Sequence, residues 1–292
     1  MAERVIFDCD NTLGLPRSEI DDGLTLLYLL GRPDIQLLGV TTTFGNGPID
    51  KVQAQTVWLL DSLGLGDLPV ERGAGRRGET DTAAARFLAE TAAAHPGEVT
   101  VLATGPLGNL RAAAERDPRF FSNLKQIACM GGYLEPLRIG WRRVAELNLS
   151  ADPKGAHAVL NAPCPVVLMN AHICLQAPFT LWDLPRTARW RADLRRAVAL
   201  WLLAFGFVHC GVGAFYLWDL LPAVYLSHPE LFDRRPVRIR STVEDLETGT
   251  LVVADAGEER PVVNMPSRIV DPRRFKAILF SAWDRALGLG EN

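Results

Sequence analysis

Acidic side chains near the amino terminus have a spacing that favours metal binding. Asp8 and Asp10 end a short apolar run, and Asp21 and Asp22 directly precede another. Carboxylates this dense cannot all stay ionised in a dry site, because mutual repulsion and desolvation raise their pKa values. A hard divalent cation relieves both costs, and oxygen ligands suit Ca²⁺ or Mg²⁺ better than zinc. We therefore predict a metal site. For any one of these residues taken alone, capping a helix or ending a strand is the simpler role.

More polar residues follow later apolar runs along the chain. They are Asn46, Thr104, Glu146, Asn148 and Asp219. Taken singly, Asn46 is explained as a turn residue, Glu146 as a solvated loop charge and Asp219 as a helix N-cap. In open parallel sheets, however, the loops after the strands face one crevice, where ligands bind. We therefore expect these side chains to converge on a single site.

Short apolar runs alternate with helical patterns, which indicates βαβ units. The predicted strands are Arg4–Phe7, Ile35–Thr41, Val99–Leu102, Gln126–Met130 and Val166–Met169. The predicted helices are Asp22–Leu30, Ile49–Leu63, Thr82–Ala94, Leu107–Arg116, Pro153–Asn161, Thr187–Phe207 and Asp219–Ser227. The pattern then changes to antiparallel strands at Val237–Glu244, Leu251–Ala254 and Arg260–Asn264, around a turn at Glu247–Gly249, followed by a closing helix at Pro272–Ala286.

These elements predict an α/β protein with an open, mostly parallel, Rossmann-like sheet flanked by helices. A small antiparallel β element is expected near the carboxyl terminus, and residues 1–292 are expected to form one domain.

Composition excludes several functional classes. A net charge of −3 and a pI near 6.0 provide no basic surface for nucleic acid. Five cysteines without a C-x-x-C pair disfavour a disulfide framework or a structural zinc site. Strand-like residues begin at Val5, too early for a signal peptide, and the apolar stretch Ala197–Val208 is shorter than a membrane span. We expect a cytoplasmic protein without nucleic-acid or membrane partners.

Six segments, in the same order along the chain, resemble the inosine–uridine-preferring nucleoside hydrolase family. They are Asp8-Cys9-Asp10 with Asp21-Asp22-Gly23-Leu24, Leu38–Asn46, Ala103–Asn109, Met130-Gly131-Gly132, Glu146-Leu147-Asn148 with Asp152-Pro153, and Trp218-Asp219 with Ala223–Leu226. Each segment is a weak signal by itself. Their common order makes the resemblance specific.

The resemblance implies a function and a set of roles. Ca²⁺ would be held by the carboxylates of Asp10, Asp22 and Asp219 and by the backbone carbonyl of Thr104. The substrate would be a ribonucleoside, with its sugar bound by Asp21, Asn46, Glu146 and Asn148. Asp8 would support the loop from behind. The N-glycosidic bond would be hydrolysed to free base and ribose through an oxocarbenium-like transition state, with a metal-bound water deprotonated by Asp10. Such proteins are commonly homodimers or homotetramers.

The chain departs from the family pattern in four places. The family motif DxDxxxDD has three residues between its inner aspartates, whereas ten residues, Asn11–Ile20, stand here. Many family members have a histidine directly before the last aspartate, and this chain has Trp218 at that position. A tryptophan cannot protonate the leaving base, but it could stack on it. No histidine occurs in Arg72–Thr82, and Gly140 stands where many members have an asparagine.

A replacement for the missing histidine is sought among the chain's own histidines. His209 follows a predicted helix, whose carboxyl end favours a protonated imidazole, although a bond to backbone is the simpler role. His172 is the second candidate. We therefore expect Asp10, Asp21, His209 and Trp218 to take part in catalysis.

Two other interpretations remain open. Phe7–Leu13 also resembles the D-x-D-x-T motif of haloacid-dehalogenase-type phosphatases, in which Asp8 would be the nucleophile, Asp10 the acid and base, and Mg²⁺ the metal. No later lysine motif or acidic metal motif supports that interpretation. The other alternative is a nucleoside- or sugar-binding protein whose hydrolase activity has decayed.

Overall fold

The computed structural model describes residues 2–188, 190–208, 214–255 and 257–288. Its strands are β1 (Glu3–Cys9), β2 (Ile35–Thr42), β3 (Val70–Arg72), β4 (Val99–Ala103), β5 (Leu124–Met130), β6 (Arg138–Ile139), β7 (Arg142–Arg143), β8 (Val166–Met169), β9 (Pro178–Thr180), β10 (Ala214–Tyr216), β11 (Pro236–Arg238) and β12 (Val262–Asn264).

The helices surround the main sheet. They are α1 (Asp21–Leu30), α2 (Ile49–Ser62), α3 (Ala83–Ala94), α4 (Gly108–Arg116), α5 (Phe120–Asn123), α6 (Asn148–Ala151), α7 (Pro153–Leu160), α8 (Ala171–Cys174), α9 (Ala192–Val208), α10 (Leu220–Ser227), α11 (Val243–Leu246) and α12 (Pro272–Gly288), with 3₁₀ helices at Leu181–Thr187 and Pro229–Leu231.

The main sheet has eight strands in the order β11-β12-β8-β5-β4-β1-β2-β3. Neighbouring strands are parallel except for the antiparallel pair of β11 and β12. Two small antiparallel pairs, β6 with β7 and β9 with β10, lie outside it. The predicted α/β class with a mostly parallel sheet and helices around it is confirmed.

Strand β1 shows why the strands of this sheet carry unbroken apolar runs in their central parts. Val5 and Phe7 belong to the hydrophobic core on one face of the sheet, and Ile6, which lies between them, belongs to the core on the other face. Because side chains alternate across a strand and both faces are covered, an unbroken apolar run is the pattern expected.

The chain order around β1 creates the crevice for a site. From β1 the chain proceeds outward to β2 and β3, and then returns to the opposite side of β1 to form β4 and β5. The connections therefore diverge at the carboxyl ends of β1 and β4, which is where ligands bind in open parallel sheets. Asp8 and Asp10 end β1, and Thr104 follows β4.

The structure corrects the predicted carboxyl-terminal strands. Only the short strands β11 and β12 pair, and Leu251–Ala254 contributes one bridge, between Val253 and Ile239. Part of the predicted strand Val237–Glu244 is instead helix α11. Thr242 starts this helix, because its hydroxyl accepts a bond from the Asp245 amide and its own amide donates to the Asp245 carboxylate. This capping box favours a helical turn over a strand.

The predicted helix Thr187–Phe207 is also divided. A 3₁₀ helix ends at Thr187, and α9 begins at Ala192. The closing helix is confirmed as α12, whose buried Trp283 donates from Nε1 to the Leu24 carbonyl oxygen of α1 at 2.8 Å. Among the described residues, no helix combines the length and hydropathy that crossing a bilayer requires.

Candidate active site

Asn46 joins two of the predicted metal ligands. Its backbone N–H donates to Asp10 Oδ2 at 2.6 Å, and its side-chain Nδ2 lies 3.3 Å from Asp10 Oδ1 and 3.5 Å from Asp22 Oδ2. A Cβ on the preceding Gly45 would lie 1.9 Å from Asp10 Oδ2, so glycine is needed for this close approach. Asn46 does not have a positive φ, so unusual backbone angles do not explain an asparagine here, whereas its bonds to the carboxylates do.

The loop after β4 completes one side of the cluster. The Thr104 hydroxyl donates to Asp22 Oδ1 at 2.6 Å. Asn148 Nδ2 donates to the Thr104 carbonyl oxygen at 2.6 Å and to the Met130 carbonyl oxygen at 3.1 Å. The ends of β4 and β5 and the start of α6 are thereby tied to the carboxylates of the first loop.

Asp219 reaches the same place from 198 residues further along the chain than Asp21. Its backbone N–H donates to Asp21 Oδ2 at 3.4 Å. Both side chains are buried. Asp219 stands at the N-cap position of α10 without making a side-chain capping bond, and Asp21 is the first residue of α1, whose N-cap is Ile20. The structure thus removes helix capping as the explanation for either carboxylate.

The cluster is electrostatically unfavourable for four ionised carboxylates. Burial raises the pKa of Asp10, of Asp21 and of Asp219 well above the usual range of a carboxyl group, and their acidic neighbours raise it further. Burial also raises the pKa of Asp22. Such groups take up protons unless a cation compensates their charge.

The donor set fits a hard metal ion. Asp10 and Asp22 are within hydrogen-bonding distance of each other, which requires a proton or a cation between them, and the buried Asp21 Oδ1 has no hydrogen-bond partner. The available donors are oxygen atoms, as Ca²⁺ and Mg²⁺ prefer. Over the part of the chain that the structure describes, no three acidic, histidine or cysteine side chains already surround a common point. Ligation by all three predicted carboxylates therefore requires side-chain rotation.

A pocket of about 250 Å³ opens beside the cluster, near the lower end of the range for small-molecule sites. Its polar lining includes Glu19, Asp21, Asn46, Thr104, Glu146, Asn148 and Asp219. Its apolar and aromatic lining includes Tyr133, Leu137, Ile139, Val144, Leu147, Trp201, Phe205 and Trp218. The combination of clustered acceptors and an aromatic wall suits a ligand with one hydroxyl-rich end and one planar end.

Glu146 lines this pocket but also holds the backbone around it. Its carboxylate oxygens accept bonds from the amides of Gly132, Leu149 and Ser150 at 2.8–3.1 Å. Burial raises its pKa. The solvated loop charge suggested by the sequence is therefore wrong, and the backbone amides already use most of the acceptor capacity of this carboxylate.

The candidates for the leaving-group acid are separated by the structure. Trp218 lines the pocket and packs edge-on against Tyr216, with ring centroids 5.7 Å apart. His172 lies in a different cavity, where its Nε2 accepts a bond from the Glu135 amide. His209 lies outside the described residues.

Asp8 supports the site from within the protein. Its side chain is fully buried, and its Oδ2 accepts bonds from the Thr41 hydroxyl at 2.6 Å and from Asn109 Nδ2 at 2.8 Å. Burial raises its pKa to about 7. Bonds to side chains of two other elements hold the Asp8 carboxylate in place, which supports a structural role for this residue.

Comparison with known proteins decides between the interpretations. The model of the family described as inosine-uridine preferring nucleoside hydrolase matches residues 5–277. The chain belongs to this family. Uridine nucleosidase 1 of Arabidopsis thaliana is 27% identical over 289 residues, which cover 88% of this chain and 83% of that protein. The inosine-uridine preferring nucleoside hydrolase of Crithidia fasciculata is 28% identical over 207 residues, 61% of this chain and 62% of that protein.

Solved structures show the same fold. A purine-preferring ribonucleoside hydrolase from Gardnerella vaginalis superposes with a TM-score of 0.85 at 21% identity and covers 99% of each chain. A plant nucleoside hydrolase superposes with a TM-score of 0.84 at 22% identity, over 97% of this chain and 99% of that one. This nucleoside hydrolase is thus a glycosidase of a metal-dependent family, and the phosphatase interpretation is wrong.

Sequence reasoning missed several pocket residues of this nucleoside hydrolase. Glu19 lies in the insertion, two residues before Asp21. Trp201 and Phe205 fall within the predicted helix Thr187–Phe207, and Tyr133 falls in no predicted element. The four-residue spacing of Trp201 and Phe205 places both on one face of α9, but periodicity does not reveal whether such a face meets the core or a pocket.

Proposed function

We propose that this nucleoside hydrolase cleaves the N-glycosidic bond of ribonucleosides in a Ca²⁺-dependent reaction that releases free base and ribose. The observation that carries the proposal is the meeting of carboxylates from distant loops, Asp10 after β1, Asp21 and Asp22 in α1, and Asp219 before α10, beside one pocket with an aromatic wall. A hydroxyl-rich sugar matches the first part of that pocket, and a planar base matches the second.

The carboxylates of Asp10, Asp22 and Asp219 and the carbonyl of Thr104 would hold the ion. Bound there, Ca²⁺ supplies a fixed positive charge that attracts hydroxyl oxygens and acidifies water. The Thr104 carbonyl oxygen already accepts a bond from Asn148 Nδ2, and its second lone pair is available to a cation. The choice of Ca²⁺ over Mg²⁺ follows the family resemblance and a cluster whose carboxylates have no fixed octahedral arrangement.

The sugar is assigned to the polar residues that line the pocket. Asp21, Asn46 and Asn148 present acceptors and donors toward its hydroxyls, and Glu146 holds the loop against which the sugar rests. Asp10 accepts a proton from the attacking water. Positive charge then develops on the ribose, and the surrounding carboxylates stabilise it electrostatically.

The nucleobase is assigned to the aromatic wall. Trp218 is nine-tenths buried and lines the pocket next to Asp219, which places its ring beside any sugar held by the carboxylates. Stacking of an aromatic side chain on a base contributes about 1–3 kcal/mol in nucleic-acid binders, and we assign Trp218 that role here.

Release of ribose from a panel of purine and pyrimidine nucleosides tests the proposal. We expect activity that is lost on adding a chelator and restored by Ca²⁺. Phosphate release from phosphorylated substrates, dependent on Mg²⁺ and without ribose release, would refute it. Nucleoside binding without turnover would instead support the decayed binding protein.

A further inference from the structure

The insertion Asn11–Ile20 is an ordered segment that contributes to the site. Its ends are anchored because Leu13 and Ile20 are buried and the Thr12 hydroxyl donates to the Glu19 carbonyl oxygen at 2.9 Å. The tip, around Gly14 and Pro16, is exposed. The chain therefore loops out to solvent and returns in a fixed position, just before α1.

This return places Glu19 on the wall of the pocket. Its carboxylate accepts a hydrogen bond from the side-chain amide of Asn46 and lies near Asp22. Glu19 is partly exposed, whereas Asp10, Asp21, Asp22 and Asp219 are at most 5% exposed. A nucleoside bound sugar-first against the buried carboxylates would have its base nearer the solvent, at the level of Glu19.

Other proton donors in the pocket are already engaged, as far as the described residues show. Glu146 accepts several backbone bonds, and Asp21 and Asp219 belong to the metal and sugar cluster. His172 faces another cavity. Glu19 and the Tyr133 hydroxyl remain, and of these two a carboxyl group is the stronger acid.

We propose that Glu19 contacts the departing nucleobase and protonates it, an inference that rests on the proposed function. As the C1′–N bond breaks, its electron pair moves to the base nitrogen, which takes the proton from the Glu19 carboxyl group. The water oxygen forms the new bond to C1′, and its proton goes to Asp10. Asp10 then releases its proton to solvent and solvent returns one to Glu19, so both carboxyl groups are restored and the net reaction consumes one water.

The electrostatic environment agrees with this role. In the metal-free protein, burial of the carboxyl group, followed by the charge of Asp22, raises the pKa of Glu19 to about 7. Bound Ca²⁺ would offset the charge of Asp22 and leave the contribution of burial. A general acid works best when its pKa is near the working pH. An acid supplied by the insertion also accounts for a site in which tryptophan stands in place of the family's histidine.

Leaving-group chemistry provides the test. Glu19→Gln keeps the size of the side chain and a hydrogen-bond donor but has no proton to transfer. On inosine and uridine we expect kcat/KM to fall about 10²- to 10⁴-fold, the usual contribution of a general acid. On 4-nitrophenyl β-D-ribofuranoside, whose leaving group departs without a proton, the loss should be small, and Ca²⁺ affinity measured by calorimetry should not change.

Four further variants keep the result interpretable. Glu19→Asp should recover part of the nucleoside activity, and Glu90→Gln, on an exposed residue of α3, should have no effect.

Equal losses of Glu19→Gln on nucleosides and on the nitrophenyl riboside would overturn the proposal, since they would place Glu19 at the sugar or the metal. A leaving-group-selective loss in His209→Ala or Tyr133→Phe, without one in Glu19→Gln, would overturn it too. If the wild type released ribose from no nucleoside, the proposed function itself would have failed.

Discussion

The two ends of the pocket are stabilised in different ways. At the acidic end, Asp21 and Asp219 line the pocket, and the buried Asp10 and Asp22 belong to the same mutually repelling cluster. The aromatic wall includes Trp201 and Phe205 of α9, whose rings pack against each other with centroids 5.9 Å apart. The wall is a favourable arrangement without any ligand. The acidic end becomes favourable only when protons or a cation neutralise it.

This difference determines how each end should respond to substitution. In the acidic end, the energy of every charge depends on the others, so effects of substitutions are strong and not additive. In the wall, contacts are dispersive and depend on shape and area, so effects are smaller and fall mainly on substrates with large bases. The following variants test this difference.

Removing Asp10 should have the largest effect. In Asp10→Ala, loss of the proton acceptor and of a metal ligand is expected to lower kcat by at least about 10³-fold and to weaken Ca²⁺ binding. Steady-state kinetics and calcium titration calorimetry measure both. Asp284→Ala, on an exposed position of α12, serves as the control. A near-normal kcat in Asp10→Ala would exclude Asp10 from the mechanism.

Asn148→Ala tests the sugar assignment. The variant removes a side-chain amide from the pocket lining, and loss of one hydrogen bond of about 1.5 kcal/mol to a sugar hydroxyl corresponds to roughly 10-fold in kcat/KM. The factor should be the same for purine and pyrimidine ribosides. Asn161→Ala, at the end of α7, should leave kcat/KM unchanged. A change confined to preference among bases would contradict our assignment of Asn148 to the sugar.

Trp218→Ala tests the aromatic wall. Loss of stacking is expected to lower kcat/KM about 10-fold on purine nucleosides and less on pyrimidine nucleosides, which offer a smaller ring. Trp182→Ala removes a tryptophan that is 90% exposed and should not alter either class. Equal losses on purines and pyrimidines would argue that Trp218 serves the core rather than the base.

Thermal stability of the metal-free protein should depend on pH. The pKa of Asp8, raised from 3.8 to about 7, exceeds its unfolded value, so the folded state binds more protons in this range. Its contribution to stability is therefore complete below about pH 4 and decreases as pH rises toward 7, as do those of the other buried carboxylates. Calorimetry should show Tm falling across that window, and Ca²⁺ should raise Tm by a few degrees, more at pH 8 than at pH 5. A Tm of the metal-free protein that rises over the same window would contradict this account.

Parts of the fold were predictable because their signals are local. The apolar runs at β1, β2, β4, β5 and β8 are continuous and bounded by turns, and each was found in the sequence close to its observed limits. The carboxyl-terminal strands were not, because Thr242 and Asp245 form a capping box that outweighs β propensity. Gly140 is also explained only by the structure, since it turns between β6 and β7 with φ +61°.

The sequence by itself determined the chemical types at this site. Residue type and order do not depend on folding, so the sequence alone identifies the candidate residues. They are the aspartates before and inside the first helix, Asn46, Thr104 and the Trp218-Asp219 pair. Which of them meet was decided by the sheet order, which brings the end of β1, the end of β4 and the start of α10 together. Folding alone reveals that the insertion returns Glu19 to the pocket beside Asn46 and that the Gly132 amide engages Glu146, since both contacts join residues that are well separated in the sequence.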